Sequence, residues 1–294
     1  MGRPLPLALV QTSGRPADDV ASFATHLQEL TRTHSATRLF VYPELHFFHG
    51  RNGESDEELV EATAEPLAGP RDRSLAELAG DLGVWLAPGS FYERDVDGKV
   101  YNTSVVYSPE GRRIATYRKV FPWRPYEKLA AGSEFVVFEM TGHGRVGLSI
   151  CYDAWFPEMT RHLAWMGAEL ILNVVKTPTA DRAQEVVIAR ANAIVNQVFV
   201  ASVNAASPDG LGRSVLIDPQ GTVRLEATGS ESMVLSDVID LDEVDNVRRF
   251  GTAGVTTPWQ QFTGGEESLP LPFYSGSIDP QRWASTLQSR EQEK

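Results

Sequence analysis

The chain is poor in cysteine, in positive charge and in long apolar runs. Among 294 residues there is one cysteine, Cys151. A single thiol excludes an intrachain disulfide and any cysteine-rich metal site. No stretch approaches the roughly 18 apolar residues of a membrane helix, and Met1–Val10 lacks a basic region followed by a long apolar segment, so it does not read as a secretory signal. Lysine and arginine number 27 against 39 aspartates and glutamates, a formal charge of −12. That balance argues against nucleic acid and anionic membranes as partners. The expectation is a soluble, cytoplasmic protein. With 42% hydrophobic residues the chain can fill one large α/β core.

Short apolar strands alternate with helical stretches. "LPLALVQ" (Leu5–Gln11) reads as a strand, residues from about Asp18 to His34 as a helix, and "RLFVYPEL" (Arg38–Leu45) as the next strand. "SLAELAGDLG" follows as a helix and "VWLAPGSF" as a strand, then "YNTSVVYSPEGRRIATY" as a hairpin. The second half repeats this grammar: strand "RVGLSIC", helix Pro157–Met166, strand "AELILNVV", helix "AQEVVIARANAIVNQ", strand "VFVASVNA" and hairpin "SVLIDPQGTVRLEA". The two hairpins share a frame, Ser-Val first and then proline and glycine two apart, because proline presets a turn and glycine tolerates its exit. The pattern predicts two similar halves whose sheets pair face to face with helices outside. After about Thr252 it dissolves into glycine, proline and isolated aromatics. The expected organisation is therefore a domain over residues 1–260 and a tail over 261–294 that packs on the domain or across a dimer.

Four chemically capable residues sit at the edges of this pattern: Glu44 in "YPEL", Lys119 in "YRKVFPW", Glu127 in "YEKL", and Cys151 at the end of the strand that opens the second half. Each alone admits an ordinary reading as a loop acid, a surface lysine, half of a salt bridge or an inert thiol. Taken together with "YNTSVV", "ICYDAWFPE", "GAELIL", "ARANAIVNQVFV" and "GRSVLIDPQG", they resemble the carbon–nitrogen hydrolase (nitrilase) superfamily over roughly residues 5–250, in the order Glu, Lys, Glu, Cys.

The resemblance implies an αββα four-layer sandwich with internal pseudo-two-fold symmetry that dimerises. It also implies a small-molecule amidase working through a cysteine acyl-thioester, with no metal or other cofactor. Cys151 would be the nucleophile, Glu44 the base and Lys119 the oxyanion partner, aided by the Tyr152 backbone N–H at the start of the following helix. Glu127 would orient Lys119. A thiol of ordinary pKa is only partly ionised at neutral pH and needs such company. Tyr152-Asp153 stands where true nitrilases carry Trp-Glu, which favours amides over nitriles. Trp155 stands where branches acting on carboxylate-bearing substrates carry arginine, and an indole cannot pair an acid. Trp155, Lys176 and Thr177 are pocket candidates, with helix packing and a solvated loop as the plain readings of the first two. Asn192 and Val195 depart from the family habit of Arg and Glu. Alternatives are an N-carbamoyl amidohydrolase, a nitrilase, an acyltransferase, and a non-catalytic binding protein that kept the fold.

Overall fold

In Pro4–Gln11, Leu5, Leu7 and Leu9 alternate with Ala8 and Val10, and all five are buried. A strand buried on both faces needs a packed layer on each side, and that requirement sets the architecture. The computed structural model describes residues 2–48 and 56–271, together with Tyr274 and Gly276–Ile278. Its first half runs β1 (Pro4–Gln11), α1 (Val20–Thr33), β2 (Leu39–Val41), α2 (Asp56–Thr63), α3 (Pro70–Leu82), β3 (Trp85–Ala87), β4 (Ser90–Arg94), β5 (Val100–Tyr107) and β6 (Arg113–Arg118). The second half runs β7 (Val137–Met140), β8 (Gly144–Ile150), α4 (Pro157–Trp165), β9 (Leu170–Val175), α5 (Arg182–Asn196), β10 (Phe199–Asn204), β11 (Val215–Ile217) and β12 (Val223–Glu226). β13 (Met233–Asp240) and α6 (Asp242–Phe250) follow.

One sheet has the order β13-β1-β2-β3-β5-β4 with β6 also paired to β5; the other is β12-β11-β10-β9-β8-β7. Leaving β4 aside, the two are strand-for-strand equivalents. β1, β2 and β3 are parallel, as are β8, β9 and β10, and each set is flanked by antiparallel partners. The expected hairpin likeness extends to its irregularity. The ladder slips between Val106 and Tyr107 in one hairpin and between Leu216 and Ile217 in the other. Those are matching positions of the shared frame, and both turns close on a positive-φ glycine, Gly111 and Gly221.

Leu5, Leu7 and Leu9 join Leu148 and Ile150 of β8 in one apolar cluster. Ala8, Val10, Phe40, Leu86 and Val105 cluster instead with Phe23 and Leu27 of α1 and Leu75 and Leu78 of α3. Helices therefore cover the outside, and the αββα sandwich is the observed fold.

Three details differ from the sequence expectation. "VWLAPGSF" is two strands, because Pro88 offers no N–H and Gly89 turns the chain at φ 93°. β13 and α6 carry no apolar run to announce them, yet β13 pairs with β1 along its whole length and ties the second half to the first sheet. Residues 151–155 form a short 3₁₀ turn ahead of α4 rather than the start of a helix. Of the tail beyond residue 260, Phe262 packs against the core and the Tyr274 hydroxyl donates to Glu158; most of the rest lies outside the described residues. Among the described residues no helix is long and apolar enough to cross a membrane.

Gly89 makes a close approach that bears on the site. A Cβ there would lie 1.8 Å from the carbonyl oxygen of Pro43, the residue before Glu44. Gly89→Ala is expected to cost at least about 2 kcal/mol in urea unfolding. A change below about 0.5 kcal/mol would contradict this packing.

Candidate active site

Glu44, Lys119 and Cys151 each lie just beyond a strand, after β2, β6 and β8, and Glu127 lies in the connection from β6 to β7. The fold brings the four together at the strand ends. Lys119 is 2% exposed, and its Nζ donates to Glu44 Oε1 at 3.2 Å and to Glu127 Oε1 and Oε2 at 3.0 and 2.8 Å. Burial alone would favour loss of its proton, but Glu44, the facing Cys151 and Glu127 outweigh that and raise its pKa above the ordinary lysine range. Lys119 is a fixed cation.

Glu44 is equally constrained. Its Oε1 also accepts from Asn102 Nδ2 at 2.8 Å, and its Oε2 accepts from the Lys176 backbone N–H at 2.9 Å. Glu127 Oε2 additionally accepts from the Trp123 N–H. Each carboxylate that touches the ammonium is thus aimed by at least one further bond.

Cys151 is half-buried and occupies the left-handed region at φ 47°, which a non-glycine residue enters at a cost of about 1 kcal/mol or more. The turn is held by Asp153, wholly buried, whose carboxylate accepts from the Ile150 N–H (2.8 Å), the Phe121 N–H (2.8 Å) and the Tyr117 hydroxyl (2.7 Å). These bonds fix the strand carrying Cys151 to the segment carrying Lys119. Burial pushes the Asp153 carboxyl up to about 6 despite those donors. The Tyr152 N–H sits in the same turn. Asn192 Nδ2 of α5 donates to the Ala154 carbonyl at 3.1 Å, so the departure at that position braces the turn that carries Cys151. Val195 is 48% exposed on the same helix.

Burial, with the Glu44 carboxylate facing it, pushes the Cys151 thiol well above its ordinary range; Lys119 draws it only part of the way back. Thr177 Oγ1 lies 3.7 Å from Sγ. Lys176 is not a solvated loop residue: its ammonium donates to the Phe48 carbonyl at 3.2 Å and pairs with Asp209 at 3.6 Å. Trp155 is half-buried with its ring 6.0 Å from that of Tyr152, and its indole N–H is buried with no hydrogen-bond partner among the described residues.

Asn102 and Tyr117 belong to this site and were not singled out in the sequence; Asp153 was read there only as half of the Tyr-Asp pair after Cys151, not as the brace of its turn; and Glu185, which accepts from the Thr177 hydroxyl at 2.9 Å, was not singled out either. The available signal was a polar residue inside an apolar strand, such as Asn102 in "VYNTSVVY".

With this geometry in view, comparison with known proteins is informative. The carbon–nitrogen hydrolase family model matches residues 6–249. The chain is 33% identical over 202 residues to omega-amidase NIT2 from Homo sapiens, covering 63% of this chain and 72% of that protein. It is 33% identical over 252 residues to an (R)-stereoselective amidase from Pseudomonas sp, covering 83% and 88%. Its fold is similar to Saccharomyces cerevisiae Nit3, described as a member of branch 10 of the nitrilase superfamily, with TM-score 0.76 and 26% identity over 88% of this chain and 97% of that one. It is also similar to a variant of the amidase from Nesterenkonia sp. AN1, with TM-score 0.68 and 25% identity over 84% and 94%; that protein carries the acetamide moiety of fluoroacetamide added covalently at its active-site cysteine. The chain belongs to the carbon–nitrogen hydrolase family.

Asp153→Ala would strand two backbone N–H groups and a tyrosine hydroxyl in a dry site. The expected cost is about 2–4 kcal/mol in chemical unfolding, with turnover lost even where the variant is fully folded. Tyr117→Phe, which removes one bond of the three and the hydroxyl that accepts from the Val120 N–H at 3.2 Å, is expected to cost about 1–2 kcal/mol. Equal effects of the two variants would contradict the assigned role of Asp153.

Proposed function

We propose that this protein hydrolyses the carbon–nitrogen bond of a small uncharged amide through an acyl-thioester on Cys151, releasing ammonia or an amine. The observation that carries the reading is the Lys119 ammonium, buried beside the only cysteine and hydrogen-bonded to two carboxylates. Glu44 takes the thiol proton as sulfur attacks the amide carbon, returns it to the departing nitrogen, and then activates the water that cleaves the thioester. Lys119 and the Tyr152 N–H stabilise the oxyanion at each tetrahedral stage. Glu127 keeps Lys119 charged and aimed. All of these groups belong to the protein, and the cycle closes without a cofactor.

Charge accounting supports an uncharged substrate. Among the described residues near Cys151, Lys119 is shared by Glu44 and Glu127, Arg182 pairs with Glu185, and Lys176 pairs with Asp209. A substrate carboxylate would have to displace one of these partners. The half-buried aromatic surface of Trp155, Tyr152, Phe156 and Phe121, whose rings follow one another in that order at 6.0, 5.6 and 3.9 Å, suits an apolar acyl group instead. A homodimer is part of the proposal: α5 exposes Val187, Ile194 and Val195, and Met166 is exposed just after α4. So is a reducing, cytoplasmic setting, since a lone catalytic thiol works there without oxidation.

Cys151→Ala is expected to abolish ammonia release from a panel of small amides while far-ultraviolet circular dichroism stays unchanged. Lys119→Ala is expected to lower kcat by at least about 10²-fold, and Glu44→Gln by about 10³-fold. Ammonia should appear without carbon dioxide, which separates an amidase from a carbamoyl hydrolase. Undiminished turnover in Cys151→Ala would sink the proposal.

A further inference from the structure

A second buried acid reaches the thiol through Thr177 rather than through Glu44 or Lys119. Thr177, whose hydroxyl oxygen is 3.7 Å from Cys151 Sγ, donates its one hydroxyl hydrogen to Glu185 Oε1 at 2.9 Å. The other carboxylate oxygen of Glu185 accepts from Arg182 at 3.2 Å. The place of Arg182 is itself built. Ser149 of β8, Asn173 of β9 and Ser202 of β10 stand in register across three strands, and hydrogen bonds run Asn173 to Ser149 (3.0 Å), Ser202 to Asn173 (3.2 Å) and Arg182 to Ser202 (3.0 Å). The guanidinium also donates to the Gly212, Ser202 and Arg213 carbonyls. Asn204 grips both sides of the Thr177 backbone, accepting from its N–H at 2.8 Å and donating to its carbonyl at 3.1 Å. Thr177 and Arg182 are 5% and 1% exposed, and Glu185 7%. Four strand or helix segments therefore converge to hold one hydroxyl beside one sulfur.

We propose that Glu185 is a positioning residue that acts through Thr177: by claiming the hydroxyl hydrogen, it turns an oxygen lone pair toward Sγ and holds the resting nucleophile as a neutral, aimed thiol. The inference rests on the assignment of Cys151 as nucleophile. A hydroxyl has one hydrogen. While that hydrogen points at Glu185, Thr177 accepts from S–H and has nothing to donate to a thiolate. Were the acid uncharged and donating to Thr177, the hydroxyl would swing its hydrogen to sulfur and stabilise the anion. No proton passes through Thr177 in either arrangement; the thiol proton leaves to Glu44 when substrate is attacked. The charged groups that face this pair are Arg182 and Asp181 toward Glu185, with Arg213 beyond, and Glu44 and Lys119 toward Cys151. Burial raises the Glu185 carboxyl and Arg182 opposes the rise; the donors on both of its oxygens, Thr177 on one and Arg182 on the other, are the arrangement of a carboxylate.

Glu185→Gln isolates the effect. The amide oxygen can stay with Arg182, and its NH₂ then faces Thr177 and donates, freeing the hydroxyl hydrogen for sulfur. The readout is the pH dependence of Cys151 modification by methyl methanethiosulfonate, mapped by peptide mass. The midpoint is expected to fall by about one pH unit in Glu185→Gln, giving roughly tenfold faster modification at neutral pH. With valine at 177 the Glu185→Gln change should lower the midpoint by clearly less than it does beside threonine, since only the direct charge of Glu185 on sulfur is then removed, and the Thr177→Val midpoint should lie no higher than in the parent protein. A Glu185→Gln midpoint equal to the parent's would overturn the inference, as would an equal fall with valine at 177. So would a rise of about one unit in Thr177→Val alone, which needs only that variant to fold and would mean that Thr177 donates to the native thiolate. Amidase activity that survives complete modification of Cys151 is a separate result: it removes the nucleophile assignment, and the positioning role with it.

Discussion

Everything in the site depends on one buried cation held between two carboxylates. Removing Lys119 would leave Glu44 and Glu127 facing each other in a dry pocket, and removing either acid would leave the ammonium under-compensated. Such a cluster is costly to bury, and the structure meets the cost with directed hydrogen bonds. Asn102 and the Lys176 N–H aim Glu44, and the Trp123 N–H aims Glu127. On the proposed mechanism, that fixed positive charge would need little reorganisation when an oxyanion forms, the condition under which electrostatic catalysis is strongest.

The pseudo-symmetric halves explain how residues so far apart in sequence share a few ångströms. Each half ends its parallel strands at one edge of its sheet, and face-to-face pairing brings those edges together. Glu44 and Lys119 come from the first sheet, and Cys151 and Thr177 from the second. Asp153 is the staple between them, since its oxygens bond to both the Cys151 turn and the segment after Lys119. β13 performs the same service at the level of the fold by lying along the full length of β1.

Much of this was legible in the sequence. The repeated Ser-Val…Pro-x-Gly frame announced two equivalent hairpins, and even their ladder slips coincide, because turn chemistry is local and travels with the residues. Glu44, Lys119, Glu127 and Cys151 were readable as motifs, since a carboxylate or a lone thiol at the end of an apolar run is conspicuous. β13 was not legible: an edge strand with one wet face lacks the apolar run that marks a buried one. Nor were Glu185 and the bracing role of Asp153, which the sequence offered only as half of the Tyr-Asp pair after the cysteine. An acid two residues after a thiol, or in the first turn of a helix, shows no such role until its partners, far away in sequence, are brought to it. The Ser149–Asn173–Ser202 ladder was hidden for the same reason: each residue is a single polar interruption in an apolar strand, and only the register makes them a row.

The central claim is that Cys151 becomes covalently acylated on the way to product. The most direct measurement mixes the protein with a small primary amide, quenches in acid within a turnover, and weighs the intact chain and its peptides. The account predicts a mass increase equal to the acyl group, confined to the peptide holding Cys151 and lost as the carboxylic acid appears. Steady amide hydrolysis with no adduct at any quench time, or an adduct on a peptide without Cys151, would contradict it.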